Sequence, residues 1–479
     1  MNSTLAHVLE TAERPVGQQS SDLASNLTAR VDRLPITRHL WMLVLLISLG
    51  GFFEIYDLIF MGYIAPGMNR SGILATTTAS FFAFKGFGAF VAATFAGLFV
   101  GTFGLSFLAD LYGRRRTFTY SLLWYSVCSA IMALQHTASG LLLWRFITGI
   151  GIGVEIITID TYISELVPSA MRGRAIAFNQ TVMFLAAPVA GILSYWLIPQ
   201  APLGLEGWRW VVLAGSIGAV LVWFVRRPLP ESPRWLVQVG RYPEAERVLR
   251  TIESRVAAEY GRALPTPRPP MASAIPATAS FADLWKSPYR SRLIMLLVFN
   301  FFQAIGYYGF ANWVPSLLIH QGVSVTKSLL YSAIIAMALP AGPLLATAFA
   351  DRVQRKWIIV GSAVGVIVFG LAFSRMSDPL PLIVLGVLIS LCGQFISVAY
   401  HTYQAELFPT CVRCRAGGLV YSASRIGAMF SGFLIAYLLH HFGVVGAFVG
   451  IIACMLMIVI SIGGFGPRTT GLSLDEISR

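Results

Sequence analysis

Residues 110–115 read Asp-Leu-Tyr-Gly-Arg-Arg, and residues 351–356, which lie 241 positions further on, read Asp-Arg-Val-Gln-Arg-Lys. A second motif repeats at the same offset, because residues 165–168 read Glu-Leu-Val-Pro and residues 406–409 read Glu-Leu-Phe-Pro. Two motifs that share one offset predict an internal duplication with two similarly folded halves, related as parallel repeats about an axis along a membrane normal.

The composition places these halves in a lipid bilayer. Of the 479 residues, 56% are hydrophobic and only 12% are charged, and the mean hydropathy is +0.70. A soluble protein of this length is roughly one-quarter charged, so a water-soluble enzyme and a nucleic-acid binder are excluded. Five scattered cysteines are too few for a disulfide framework. The chain is therefore predicted to be a polytopic membrane protein and not an enzyme.

Apolar runs of about 20 residues, the length that crosses a bilayer, predict an all-α fold of twelve transmembrane helices in two six-helix bundles. The predicted spans are 40–64, 84–108, 117–136, 140–163, 175–199, 209–227, 292–319, 326–350, 357–377, 380–404, 416–440 and 443–465. The predicted domains are a tail at 1–39, a bundle at 40–227, an interbundle loop at 228–291, a bundle at 292–466 and a tail at 467–479. The first tail has no apolar segment, so the first span is expected to be an uncleaved anchor.

Basic residues predict the orientation. With both termini in the cytoplasm, all but seven of the 35 Lys and Arg residues fall in cytoplasmic segments, as the positive-inside rule demands. The exceptions are Arg70, Arg209, Lys327 and Arg375 in outside loops and Lys85, Arg145 and Arg425 in or beside spans. This asymmetry explains the net charge of +13 without a nucleic-acid partner, and a multi-pass protein of the plasma (inner) membrane is expected.

At these motifs the sequence resembles the major facilitator superfamily, and the resemblance covers both halves. The 110–115 stretch is similar to the loop 2–3 signature of that superfamily, although Ser106 stands where the signature usually has glycine. Stretches similar to the sugar-porter and metabolite–proton symporter branches are Pro-Glu-Ser-Pro-Arg at 230–234, Tyr-Ile-Ser-Glu at 162–165, Phe-Asn-Gln at 178–180 and Glu-Leu-Phe-Pro at 406–409.

The seventh span departs from true sugar porters, which carry paired glutamines followed by a Gly-Ile-Asn run. Residues 303–315 read Gln-Ala-Ile-Gly-Tyr-Tyr-Gly-Phe-Ala-Asn-Trp-Val-Pro, which is more similar to metabolite, aromatic-acid or organic-anion symporters. The resemblance implies a proton-coupled importer of a small polar metabolite, an organic acid or sugar acid. The alternatives are a sugar–proton symporter or uncoupled facilitator, a drug–proton antiporter and a nutrient receptor that transports nothing.

Charged residues inside spans are candidate functional residues, because a charge at the bilayer centre costs roughly 2.5–3.5 kcal/mol. At a rise of about 1.5 Å per residue, Asp57 and Arg145 lie at matching depth and could pair. The resemblance implies that they couple transport to protons, since an Arg neighbour keeps a carboxylate ionised and protonation breaks the pair. The positions 241 further on, Val298 and Gly386, are uncharged, which favours coupling over a static ion pair between spans.

Glu54 and Glu155 lie closer to the predicted midplane than Asp57. Each could take a second proton, bind a substrate amine or hydroxyl, or be a protonated carboxyl in a helix interface. The predicted proton-coupling set is therefore Asp57, Arg145, Glu54 and Glu155.

Polar side chains near mid-depth are predicted to contact substrate. Arg425 suits a carboxylate, which a guanidinium grips with two hydrogen bonds, although it could instead snorkel to the surface or pair with a gate acid. The neutral residues could equally form hydrogen bonds between helices. The predicted substrate contacts are Gln180, Asn300, Gln303, Tyr307, Tyr308, Asn312, Gln394 and Arg425.

The cytoplasmic motif residues are predicted to form gates, whose salt bridges hold the inside closed and part when the halves rock. The alternative, topological anchoring by positive charge, leaves the acids unexplained. The predicted gate residues are Asp110, Arg114, Arg115, Glu165, Arg172, Glu231, Arg234, Asp351, Arg355, Glu406 and Arg413. The expected partners are a small-molecule substrate, protons and the lipid bilayer; a monomer is expected, and no cofactor or metal is implied.

Overall fold

The computed structural model describes residues 25–105, 107–267, 284–287, 289–350, 353–408 and 410–467. Twelve long helices are α1 Arg38–Arg70, α2 Phe87–Phe99, α3 Arg114–Ala133, α4 Ala138–Leu166, α5 Ser169–Phe184, α6 Gly207–Val225, α7 Tyr289–Ala311, α8 Val325–Ala336, α9 Arg355–Phe373, α10 Pro379–Leu407, α11 410–442 and α12 444–465. Four continue past a local irregularity, α2 through Val100–Gly104, α5 through Ala186–Leu197, α7 through Val314–His320 and α8 through Ala338–Ala350.

Within the described residues, ten helical segments are long and apolar enough to cross a membrane. The last of them, Ala416–Phe465, contains two helices, because Gly443 interrupts it with a φ of +62°. The remaining span is α3, which is not among the ten because hydroxyl side chains such as Ser121, Tyr125 and Ser129 lower its hydropathy. The predicted count of twelve transmembrane helices is confirmed.

The helices pack in two sets. In the N-terminal half, α4 packs against α2 and α3, and α1 packs against α5 and α6; in the C-terminal half, α9 packs against α10, and α7 against the helical pair α11 and α12. Contacts between the halves run mainly through α2 with the α11–α12 segment and through α5 with α8. The backbones of Gly88 and Gly432 meet there so closely that a Cβ on Gly88 would lie 2.7 Å from the Gly432 carbonyl oxygen.

The two ends of the helical assembly differ. We call the end that carries residues 226–267 the linker face, and the opposite end the distal face. At the distal face the halves touch, since the rings of Phe87 and Trp313 lie 5.1 Å apart and Tyr63 Oη donates to the Ser332 carbonyl oxygen at 3.3 Å. Towards the linker face, Asp160 on α4 and His401 on α10 are exposed and interact electrostatically across the space between the halves. The halves therefore part towards the linker face.

The described part of the interbundle segment is helical. Pro233–Gln238 forms a short helix, in which the Ser232 side chain caps the N-terminus by accepting a hydrogen bond from Trp235 N at 3.1 Å. An amphipathic helix, Tyr242–Tyr260, follows and ends at Gly261, whose φ of +66° suits glycine. A helix at residues 25–32, which the sequence analysis did not foresee, covers this segment and buries Leu27 among its apolar side chains.

Candidate functional site

The centre of the N-terminal half is an ion pair between α1 and α4. Arg145 Nη1 donates to Asp57 Oδ2 at 2.5 Å, and Arg145 Nη2 donates to the Asp57 carbonyl oxygen at 2.7 Å. Arg145 Nε donates to Thr94 Oγ1 on α2 at 2.8 Å, and Ser129 Oγ on α3 donates to Asp57 Oδ1 at 2.8 Å. Arg145 is 0% exposed and Asp57 is 4% exposed. Four helices therefore converge on one desolvated ion pair.

The surroundings of Arg145 exclude water. Its guanidinium carbon lies 5.1 Å from the ring centre of Phe60 and 5.3 Å from that of Phe90, a range in which aromatic faces attract cations. Gly97 on α2 and Gly149 on α4 allow the two helices to approach so closely that a Cβ on either would collide with the backbone of the other helix. This close approach brings Arg145 within reach of the α2 hydroxyl.

Glu54 lies one turn before Asp57 and has different neighbours. It is fully buried, and neither carboxylate oxygen has a hydrogen-bond partner in the described part of the chain. Its electrostatic neighbours are Glu155 and Asp160 on α4 and Arg425 on α11. Glu54 and Asp57 are three residues apart on α1, yet the structure pairs Asp57 with Arg145 and brings Glu54 near the other acids and Arg425 of the C-terminal half.

Glu155 belongs to a second charged site, nearer the linker face. Arg226, which directly follows α6, brings its Nη1 within 4.0 Å of Glu155 Oε1, and its guanidinium lies 3.5 Å from the ring centre of Phe118. Both charged residues pack against α1 at Gly50, where a Cβ would lie 2.9 Å from Glu155 Oε1. In the sequence, Arg226 is one of the cytoplasmic basic residues that predict topology; its position at the very end of an apolar run was the signal that it could fold inward.

A cavity of about 50 Å³ lies mainly in the C-terminal half, between α7, α8, α10 and α12, and reaches α1. Most of its lining is aliphatic or aromatic. The polar side chains that line it are Tyr63, Gln303, Tyr307, Ser332 and Ser390. Two of the predicted substrate contacts, Gln303 and Tyr307, thus share one mainly apolar cavity.

Other predicted contacts support this cavity or lie outside it. Gln394 is 1% exposed and donates from Nε2 to Tyr307 Oη at 3.4 Å, so it positions the tyrosine. Asn300 donates to the Leu296 carbonyl oxygen at 2.9 Å and to Tyr400 Oη at 2.7 Å, which occupies its amide group in a contact between α7 and α10.

Three predicted residues lie on other surfaces. Asn312 follows α7 at the distal face, and its backbone abuts α1 at Gly62, where a Cβ would lie 2.5 Å from the Asn312 oxygen. Gln180 is half-buried on α5 and is not among the residues that line the cavity. Tyr308 packs its ring 4.5 Å from that of Phe95 on α2, so it bridges the two halves.

Arg425 lies in the protein interior. It is 2% exposed, donates from Nη2 to Tyr421 Oη at 2.6 Å and lies 4.4 Å from the centre of that ring. The alternative in which Arg425 snorkels to the membrane surface is therefore wrong. Its electrostatic neighbours are Tyr308 and, from the opposite half, Glu54. An interior cation that faces the interface between the halves can attract an anionic ligand.

At the linker face, the duplicated motifs form duplicated ion pairs. Arg114 Nη2 lies 3.1 Å from Glu165 Oε1, and Arg355 Nε, at the position 241 residues later, lies 3.0 Å from Glu406 Oε1. Arg114 also pairs with Asp110 at 2.5 Å. These pairs join helix ends within one half, in a structure whose linker face is open. Asp351 and the side chain of Arg413 lie outside the described residues.

The remaining predicted gate residues contact the interbundle segment and the N-terminal segment. Glu231 Oε1 accepts hydrogen bonds from the backbone N–H groups of Arg115 and Ser232, both at 3.0 Å, and burial raises the pKa of Glu231. Arg234 Nη2 donates to Asp32 Oδ1 at 2.9 Å, and Arg172 lies 3.6 Å from the same atom.

Asp32 is a site residue that the sequence analysis missed. Its carboxylate also accepts a hydrogen bond from the backbone N–H of Ser169 at 2.9 Å, at the N-terminus of α5. Asp32 thus joins the helix at 25–32, the start of α5 and the interbundle segment. It precedes the first span in a polar tail without a motif, so the sequence carried no signal for this role.

The protein has twelve membrane-spanning helices in two repeated halves, with a buried ion pair in one half and a cavity in the other. These features define a polytopic membrane transporter of the major facilitator fold. Residues 43–479 match the family described as "Sugar (and other) transporter", and the chain belongs to this family. The resemblance to the sugar-porter-like branch is confirmed, and the chain is not an enzyme.

Relatives of known description agree with this class. The chain is 30% identical over 453 residues to the putative metabolite transport protein YyaJ of Bacillus subtilis (strain 168), an alignment that covers 94% of this chain and 98% of that protein. It is 27% identical over 453 residues to the niacin transporter NiaP of Acinetobacter baylyi (strain ATCC 33305 / BD413 / ADP1), with 94% and 99% covered.

Solved structures share the fold. A crystal structure of the D-xylose-proton symporter aligns with a TM-score of 0.70 and 20% identity, and the alignment covers 90% of this chain and 99% of that chain. The partially occluded inward-open xylose transporter XylE from E. coli aligns with a TM-score of 0.71 and 18% identity, covering 91% and 100%. At these identities the likeness extends to the fold alone.

Proposed function

We propose that this transporter is a proton-coupled symporter that imports a small organic acid by alternating access. The observation that carries the coupling is the Asp57–Arg145 pair, a charge pair buried at the centre of one half and held by side chains from four helices. A desolvated ion pair is stable only while both partners are charged. Protonation of Asp57 therefore releases Arg145 and changes how α1 and α4 interact.

The alternating step follows from this release. In the ionised, empty transporter the pair holds α1 to α4; a proton from the uptake side neutralises Asp57 and shifts the N-terminal half to the state that binds substrate. Substrate binds while the carboxyl is neutral, so proton and substrate move together. In the opposite state the proton leaves, Arg145 pairs with Asp57 again, and the empty transporter returns.

The chemistry of the cavity and, separately, that of Arg425, which is not among the residues that line it, both favour an organic acid as the substrate. The lining is mainly apolar, with Gln303 and Tyr307 as its polar groups on α7, which suits a ring or short hydrocarbon better than a sugar that carries a hydroxyl on nearly every carbon. A guanidinium such as that of Arg425 binds a carboxylate with two parallel hydrogen bonds. Niacin, named in the description of the relative NiaP, is an aromatic carboxylic acid of this kind.

A sugar–proton symporter is the second candidate. It is favoured by relatives such as the arabinose-proton symporter of Bacillus subtilis (strain 168), which is 28% identical over 398 residues. Competition separates the two candidates: excess pentose or hexose should leave uptake of a labelled aromatic acid unchanged if the first candidate is correct, and should abolish it if the cavity is built for sugars.

The linker face is proposed to be cytoplasmic, in the inner membrane, because it carries most of the basic residues. The closed distal face then faces the outside, and the described conformation is open inward. Reorientation would bring the linker-face ends together, and the pairs Arg114–Glu165 and Arg355–Glu406 would keep the converging helix ends in register as gate elements.

The test is transport in liposomes with a proton gradient, using Asp57→Asn. We expect the variant to lose gradient-driven accumulation of a labelled organic acid, such as niacin, but to retain exchange of labelled for unlabelled substrate, since a neutral side chain mimics the protonated state. Pyranine trapped in the same liposomes reports proton entry. Asp378→Asn, an exposed acid at the start of α10, is the matched control. Accumulation by Asp57→Asn at the wild-type level would disprove the coupling.

A further inference from the structure

A stripe of hydroxyl groups on α3 connects the two charged sites of the N-terminal half. Ser121, Tyr125 and Ser129 recur every four residues, so they share one helix face, and all three are buried. At one end, Ser129 Oγ donates to Asp57 Oδ1 at 2.8 Å. At the other end, Ser121 Oγ donates to the Phe118 carbonyl oxygen at 3.3 Å and interacts electrostatically with Glu155, whose oxygens have no hydrogen-bond partner in the described part of the chain. The stripe spans eight residues, or roughly 12 Å along the helix.

The packing of α3 against α4 fixes this arrangement. Gly151 lies opposite the stripe, where a Cβ would lie 3.3 Å from Tyr125 Cβ and 3.4 Å from the Ser121 carbonyl oxygen. Glu155 is four residues further along α4 and thus lies on the same face as Gly151. The missing side chain at Gly151 therefore lets α3 and α4 pack closely, since a Cβ there would also lie 2.6 Å from Trp124 Cδ1.

The middle of the stripe holds polar atoms without fixed partners. Tyr125 is 2% exposed, and its hydroxyl has no hydrogen-bond partner in the described part of the chain. Its electrostatic neighbours are Glu155, Glu54 and Arg226 on one side and Asp57 on the other. Both carboxylate oxygens of Glu54 also lack a partner there. Buried polar groups normally find partners, so these atoms have free hydrogen-bonding capacity in the middle of the stripe.

The end of the stripe at Glu155 meets the linker side of the membrane. Arg226, 4.0 Å from Glu155 at its Nη1, directly follows α6 and is the first residue of the segment that forms the linker face. Its guanidinium stabilises the ionised form of Glu155. Glu155 can thus receive a proton from the interior and return to its charged state once that proton has left.

The internal duplication offers a comparison. The positions 241 residues after Tyr125 and Glu155 are Val366 on α9 and Ile396 on α10. The C-terminal half therefore builds the same pair of helices without these polar groups. Tyr125 and Glu155 are therefore not required by the fold, whereas the counterpart of Ser121, Ser362, is also a serine.

We propose that Ser129, Tyr125 and Glu155 form a proton-exit path from Asp57 to the linker face, separate from the substrate cavity. The proposal rests on the proton-coupled symport proposed above. Protonated Asp57 gives its proton to Ser129 Oγ while the hydroxyl proton of Ser129 moves on to Tyr125 Oη, directly or through a water molecule. The Tyr125 hydroxyl proton in turn moves to the Glu155 carboxylate, which releases a proton to water at the linker face. Each hydroxyl ends with one proton, and Asp57 is ionised and pairs with Arg145 again.

The experiment compares net uptake with exchange in liposomes. In Tyr125→Phe and Glu155→Gln we expect proton-driven net uptake, and the pyranine signal that accompanies it, to fall by roughly a hundredfold, the contribution typical of a positioned proton-transfer group. Exchange of labelled for unlabelled niacin, which needs no proton release, should stay close to the wild-type rate. Tyr120→Phe is the matched control, because this tyrosine lies on the exposed side of the same helix.

A conservative replacement separates proton transfer from a structural role. Glu155→Asp keeps a titratable carboxyl and should restore part of the net uptake, whereas Glu155→Gln keeps the shape and hydrogen bonds but cannot release a proton. Equal loss of exchange and net uptake in Tyr125→Phe and in both Glu155 variants would assign these residues to packing and overturn the path.

The outcomes distinguish the path from the proposed function. If Asp57→Asn loses coupling while Tyr125→Phe and Glu155→Gln keep wild-type net uptake, the path is wrong and the symport stands. If Asp57→Asn keeps full coupling, the symport itself is wrong, and the path is wrong with it.

Discussion

The two halves of this transporter share a fold but differ in the chemistry of their interiors. In the N-terminal half, Glu54, Asp57, Arg145, Glu155 and Arg226 are each 5% exposed or less. In the described part of the C-terminal half, Arg425 is the buried charged residue, and the other buried polar side chains are neutral. The halves therefore have different tasks, and we assign proton chemistry to the first and substrate recognition to the second.

The duplication shows which contacts belong to the scaffold. The linker-face pairs Arg114–Glu165 and Arg355–Glu406 occur in both halves with nearly equal distances of 3.1 Å and 3.0 Å. The ion pair Asp57–Arg145 occurs once, because its counterpart positions carry uncharged residues. Repeated ion pairs at helix ends thus agree with the gate role proposed for both halves, whereas the unrepeated interior charges agree with the proton coupling proposed for one half.

The largest effect is expected from removing one charge of the central pair. Arg145→Gln leaves Asp57 buried without a cation, and breaking a buried ion pair in this way costs ~3–5 kcal/mol. The double variant Asp57→Asn/Arg145→Gln removes both charges and should recover most of that stability while remaining unable to couple uptake to protons. Thermal unfolding of the protein in detergent measures both. If the single and double variants prove equally unstable, the two side chains contribute separately and not as a pair.

A smaller effect, on substrate affinity and not on proton coupling, is expected from a substitution in the C-terminal half. Arg425→Gln removes the guanidinium proposed to bind the carboxylate, and the loss of a hydrogen bond to a charged group, worth ~1.5–3 kcal/mol, should raise KM for an organic acid roughly tenfold to a hundredfold. The proton-to-substrate ratio should not change, since the N-terminal charges are intact. Uptake kinetics with pyranine detection measure both quantities. An altered proton ratio with an unchanged KM would place Arg425 in the proton chemistry and abolish the division between the halves.

The sequence predicted the spans because a bilayer imposes a length and a composition on each of them. It also allowed the depths of Asp57 and Arg145 to be matched, because the rise of a helix is constant. It could not predict that Arg226 meets Glu155 or that Asn300 bonds Tyr400, since such contacts depend on how helices far apart in sequence are rotated against each other.

The N-terminal segment illustrates the same limit outside the membrane. Arg30 and Asp32 lie in a polar tail, and only the folded chain brings them to acceptors and donors more than 130 residues away. The tail reads as a solvated charge cluster, because the acids that neutralise Arg30 belong to the interbundle helix and not to its own neighbourhood. Charge patterning along the chain therefore predicted Arg172 and Arg234 as gate residues but did not predict the acid, Asp32, that pairs with both.

The smallest effect is expected where the helix at residues 25–32 docks on the interbundle helix Tyr242–Tyr260. Arg30 pairs with Glu246 at 2.6 Å and with Glu253 at 2.7 Å, and the hydrogen bond from Arg30 lowers the pKa of Glu246. A carboxylate whose pKa is lowered in the folded state stabilises the contact fully at pH values above its ordinary pKa. This stabilisation is lost as the pH falls through the lowered pKa. We therefore expect the amide hydrogens of residues 25–34 to exchange faster at about pH 4 than at pH 7, after correction for intrinsic exchange rates. The reason is that at about pH 4 roughly half or more of glutamate carboxyls without a cationic partner are protonated.

Arg30→Gln should raise amide exchange already at pH 7. Arg250→Gln should not, because it removes only an exposed ion pair of the same Glu246. Neither variant changes a buried charge, so the transport rate should vary by less than about twofold, as for a surface ion pair. A large loss of proton-driven uptake in Arg30→Gln would show that proton coupling also depends on the linker-face surface of the N-terminal half.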